Sequence, residues 1–151
     1  MKLSYHTTDL LFRFLFSLIF IGLGFEHIFS SDIIIRLMPD WVLYKQITAV
    51  FTGFILLTGG FLILTGCKVR QGAWILIFFL TLVTLTVHLP ALFTTPRNLP
   101  KDWKWIWDIY QRSNFVKNLC LIGVCLHLTN YEPGKYSMFH FLQKSGNDGS
   151  V

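Results

Sequence analysis

The sequence predicts an all-α integral membrane protein: an antiparallel four-helix bundle with a short interfacial amphipathic helix between the third and fourth helices. Three observations carry this. Four long apolar runs lie between residues 10 and 131. Hydrophobic residues make up 53% of the 151 and the mean hydropathy is +0.54, more apolar surface than a soluble domain of this size hides. Charged or imidazole side chains sit near one end of three of the runs, where burial in hydrocarbon is costly and marks pairing or function.

The first run is Leu10 to Ser30. A helix rises about 1.5 Å per residue, so about 20 apolar residues cross the hydrocarbon core. Arg13, Glu26 and His27 interrupt this run and no A-x-A-like site follows, so it reads as a retained helix rather than a cleaved signal. The first connection, Ser31 to Lys45, holds Pro39, which discourages a continuous helix, and Trp41 and Tyr44, which suit the headgroup level. The second run, Gln46 to Gly66, carries Gly53 and Gly60 seven residues apart, hence on one face, where small residues let helices approach closely. Cys67-Lys68-Val69-Arg70 is a tight basic connection to the third run, Gln71 to Phe93.

The third connection, Thr94 to Ser113, is the longest. Trp103, Ile106, Trp107 and Tyr110 recur at helical spacing within it, with Lys104, Asp108 and Gln111 on the other side. That pattern predicts the short interfacial helix, an anchor or a lid. The fourth run, Asn114 to Tyr131, barely reaches spanning length, and Glu132-Pro133-Gly134 ends it. Residues 1–131 therefore form the transmembrane domain and 132–151 a polar C-terminal tail, with disorder expected from Ser145.

The net charge of +5 is spread over connections and helix ends. This suits anchoring against a lipid bilayer; no basic stripe or motif points to nucleic acid. The Rossmann, P-loop and HExxH patterns are absent, so no nucleotide site is visible. Cys67, Cys120 and Cys125 form no CxxC pair and read as packing residues. Four spans place both termini on one side. Lys and Arg are nearly balanced between the two sides, and the basic Cys67–Arg70 connection tips the termini toward the cytoplasm.

Helix order brings the polar residues together. Glu26 and His27 close the first helix, His88 closes the third, and Asn114, Lys117 and Asn118 open the fourth. All six reach the same side of the membrane at shallow depth, whichever way the bundle points. Thr81, Thr84 and His88 share a stripe of the third helix, and Asn114, Lys117, Asn118, Leu121 and Cys125 share one of the fourth. These six residues are the candidate ligand site, with no catalytic residue assigned and no metal expected. The chemistry suits an anion, a quinone, a lipid headgroup or proton transfer; His27 and His88 could alternatively ligate a haem. Lys117 is expected to pair with Glu26, since either charge alone is costly. The alternative is a cluster that only fixes helix packing, with Lys117 snorkelling to the headgroups.

At these residues the chain resembles the DoxX family of small four-helix bacterial membrane proteins, over roughly Leu11 to Leu128. The resemblance rests on Arg13, the Gly22–Phe29 stretch GLGFEHIF, Pro39-Asp40-Trp41, Thr52-Gly53 with Thr58-Gly59-Gly60, Val87-His88-Leu89-Pro90, and Asn114-Phe115-Val116-Lys117-Asn118-Leu119. The family often has Lys where this chain has His27, and an acidic residue in helix two where this chain has none. The resemblance implies a bacterial inner-membrane protein with cytoplasmic termini. Related DoxD-type subunits are linked to thiosulfate:quinone oxidoreduction and other members to redox-associated complexes. A membrane redox partner protein is expected on the same ground.

Overall fold

A computed structural model describes residues 4–39, 41–95 and 99–148. Lys2, Asp40, Arg97 and residues 149–151 lie outside the described residues. Helix α1 is Tyr5–Phe29. It starts earlier than the apolar run because Ser4 caps it, its hydroxyl accepting from the Thr7 amide at 3.3 Å. A helix not expected from the sequence, α2, follows at Ser31–Leu37. It stops at Met38, which is extended (φ −70°, ψ 134°), the conformation that the following Pro39 favours.

Helix α3 is Lys45–Thr65 and ends at Gly66, whose φ of 68° favours glycine. Helix α4 is Val69–Ala91. Its last turns widen at Thr84–His88, where the Leu89 amide reaches back five residues to the Thr84 carbonyl. Pro90 explains the widening. It has no N–H to give, and its ring crowds the carbonyl four residues back.

Helix α5 is Lys104–Leu128, preceded by a single 3₁₀ turn at Lys101–Trp103. This corrects the expected interfacial helix. Trp103 to Tyr110 do not form a separate surface element; from Lys104 they are the opening turns of one 25-residue helix. No Pro or Gly falls between Trp103 and Leu121 to break it, and the inward stripes of its two halves run in register. Gln111, expected on the outer face, is 2% exposed. After a turn, α6 occupies Met138–Asp148, so residues 145–148 are helical where disorder was expected.

The four long helices among the described residues pack in chain order: α1 on α3, α3 on α4, α4 on α5. Each neighbouring pair is antiparallel. Gly24 meets Gly53 and Phe20 meets Gly60 across α1 and α3. Gly72 approaches the Gly59 carbonyl across α3 and α4. Asn118 bonds Thr84 across α4 and α5, while Arg70 bonds Thr129 at the other end. Phe20, Leu56, Ile63, Leu76 and Leu80 form the core with Cys125 and Leu128. Cys120 is exposed, so the packing role belongs to Cys125. Large apolar side chains such as Leu15, Phe51, Phe54 and Phe78 cover the outside. Among the described residues three helices, α1, α3 and α4, are long and apolar enough to cross a membrane.

Candidate functional site: a polar-ended cleft between α1 and α5

The outer members of the row, α1 and α5, pack little against each other. At one end a cleft of about 620 Å³ lies between them, floored by α3 and α4 and edged by the first connection. At the other end α1 is tied to the segment that follows α5. Phe12 and Tyr131 have ring centroids 6.3 Å apart, and the Tyr5 hydroxyl donates to the Glu132 carbonyl at 3.3 Å.

His27, His88, Asn114, Lys117 and Asn118 all line the cleft. Glu26 does not. Successive helical residues are turned by about 100°, so the rotation that faces His27 inward carries Glu26 away. The expected Glu26–Lys117 pair is therefore absent. Lys117 Nζ instead donates to Asn114 Oδ1 at 2.7 Å, one turn back on its own helix.

The remaining contacts define what the cleft can do. His27 Nδ1 lies 2.7 Å from the Leu23 carbonyl oxygen. His88 Nδ1 lies 2.9 Å from Gln111 Oε1. Asn118 Nδ2 donates to Thr84 Oγ1 at 3.1 Å, both residues buried. Asn114 Nδ2 is buried without a partner, an exception among buried donors that calls for an explanation. Leu23, Phe79, Val83 and Leu121 supply apolar wall. The result is a greasy cleft with one polar end, able to hold an amphipathic molecule by its head. Gln111 also lines the cleft, though it was not among the six candidates. Its spacing of three and seven residues before Asn114 and Asn118 was the available signal.

A second polar cluster stands at the opposite end. Arg13, which interrupts the first apolar run, is 0% exposed. Its guanidinium binds Asp9 at 3.2 Å and donates to the carbonyls of Leu64 at 2.6 Å and Tyr136 at 2.8 Å. Asp9 also accepts from the Gly134 amide at 3.0 Å. Asp9 was not singled out in the sequence, although Asp9 and Arg13 have the i, i+4 spacing of a helical ion pair. The cluster ties α1 to the end of α3 and to the segment after α5. Among the described residues, no group of three or more His, Cys, Asp or Glu side chains is placed to hold a metal ion.

The DoxX family model matches residues 8–89, more than half of the chain. The match contains His27 and His88 and stops before α5, which carries the other half of the cleft. No protein of curated function and no solved structure matches the chain. With its helices running through the matched stretch from Arg13 to His88, this chain belongs to the DoxX family.

Proposed function

We propose that this chain is a four-span bacterial inner-membrane protein with cytoplasmic termini. In this reading it acts as a redox-associated subunit that binds a quinone-like or other small amphipathic molecule in the cleft. The observation that carries the reading is the unpartnered Asn114 amide beside Lys117, at the polar end of an otherwise apolar cleft. Resident polar groups need partners, and a ligand oxygen would serve. Residues 114–128 of α5 are the fourth span, supported by their packing on α4 and by the outward apolar residues Val116, Leu119 and Leu126. Arg13 of α1 and Ser137, just before α6, both adjoin Gly66 at the basic α3–α4 connection; this supports the cytoplasmic assignment proposed for the termini.

A second reading is a non-catalytic scaffold or lipid-binding protein. The satisfied bonds His88–Gln111 and Asn118–Thr84 favour it, because both clamp α4 to α5. The readings separate on one experiment. Organic extraction of the purified protein, followed by mass spectrometry, should recover a quinone or other amphiphile in near-stoichiometric amount, and His88→Ala should lose it while remaining folded. Recovery of bulk lipid alone, with His88→Ala merely less stable, would establish the scaffold. An absorption spectrum of the same sample reports any haem held by His27 and His88.

A further inference from the structure

The two nitrogens of His27 have different chemistry, and the difference selects a head group. A backbone carbonyl only accepts hydrogen bonds. Nδ1, 2.7 Å from the Leu23 carbonyl, therefore carries the proton. In the neutral ring Nε2 is then a bare acceptor. No described residue bonds to it, and the ring lines the cleft. Across the cleft the open groups have the opposite sense. Asn114 Oδ1 is occupied by Lys117, leaving the buried Asn114 Nδ2 donor free, and the Lys117 ammonium has further protons to give. One wall asks for a hydroxyl and the other for an oxygen that accepts.

We infer that the cleft selects an amphiphile whose head presents a hydroxyl donor to His27 Nε2 and an acceptor oxygen to Asn114 Nδ2 and Lys117 Nζ. A hydroxylated aromatic ring, as in the hydroquinone form of a quinone, meets both demands. Trp41, Phe79 and Tyr110 line the cleft and suit a flat ring. The apolar wall of Leu23, Phe79, Val83 and Leu121 suits an alkyl tail. This inference rests on the cleft being the ligand site, and it adds a direction: the hydroxyl-bearing form binds more tightly than the carbonyl form.

The test uses the full chain in lipid nanodiscs under anaerobic conditions, with empty nanodiscs subtracted. Three probes share one decyl tail: a benzohydroquinone, the matching benzoquinone, and the dimethyl ether of the hydroquinone. Titration calorimetry should show the hydroquinone binding about tenfold more tightly than the other two, the expected effect of one unmade buried hydrogen bond. His27→Leu should bring the three probes within about twofold of one another, and Asn114→Leu should weaken all three. Equal affinity of the wild-type protein for hydroquinone and ether would overturn the inference while leaving the cleft a ligand site, with no variant needed. Failure of all three probes to bind would overturn both this inference and the quinone-like reading beneath it.

Discussion

At the scale of single residues, the two polar clusters differ in how much each charge depends on a partner. Arg13 and Asp9 are buried together, and Arg13 also serves two backbone carbonyls. Removing one partner of a buried pair strands the other, at about 3–5 kcal/mol. Arg13→Met and Asp9→Asn should each lower unfolding stability in detergent by that order. The double variant should be more stable than the sum of the single losses predicts. It should still fall short of wild type, because the Leu64 and Tyr136 carbonyls lose their donor. Glu26 and Lys117 should behave in the opposite way. They were expected to pair, yet Lys117 bonds Asn114 and Glu26 does not line the cleft. The losses in Glu26→Gln and Lys117→Met should add within about 0.5 kcal/mol; a larger coupling energy would restore the pair.

At the scale of elements, close approach and continuity decide. A Cβ at Gly53 would sit 2.7 Å from Ile28 Cγ1, 2.9 Å from the Gly24 carbonyl oxygen and 3.1 Å from His27 Cβ. A backbone oxygen cannot step aside without parting α1 from α3. Gly53→Ala should therefore cost about 1–3 kcal/mol, the usual penalty of overpacking. Gly123, also helical, has nothing within 4 Å of its added Cβ. Gly123→Ala should stabilise by up to about 1 kcal/mol through helix propensity; equal losses at the two sites, measured by the same unfolding assay, would contradict the packing. The unbroken α5 has its own test. Ser113 is an exposed residue in its interior, so Ser113→Pro should destabilise by about 3 kcal/mol. Were Trp103 to Tyr110 a separate helix ending before Ser113, proline there would be tolerated and the circular dichroism unchanged.

At the scale of the whole molecule, the antiparallel row puts both connections of like parity on one side. Single cysteines at Asp32 and Thr95, in a background free of native cysteines, should react with a membrane-impermeant maleimide from one side of the membrane. Cysteines at Lys68 and Lys135 should react only from the other. All four positions are exposed in the structure. Labelling of Asp32 and Lys68 from the same side would refute the topology, and labelling of Lys68 in intact cells would reverse the cytoplasmic assignment.

The sequence by itself determined the helical class, the long apolar helices, their alternation and the gathering of His27, His88, Asn114, Lys117 and Asn118 at one end. These follow from local quantities: run length sets a span, period sets a face, and alternation sets the side. Family membership was legible for the same reason, in motifs that close α1 and α4. Only the tertiary structure decided which charges meet. Whether Lys117 reaches Glu26 or Asn114 depends on helix rotation, and a shift of one residue turns a side chain by about 100°. The burial of Arg13 likewise depends on a segment more than 120 residues away folding back to offer the Tyr136 carbonyl. The cleft itself is a property of the row. It exists because α1 and α5 each pack on an inner neighbour and little on each other, a relation between elements distant in the chain that no single apolar run encodes.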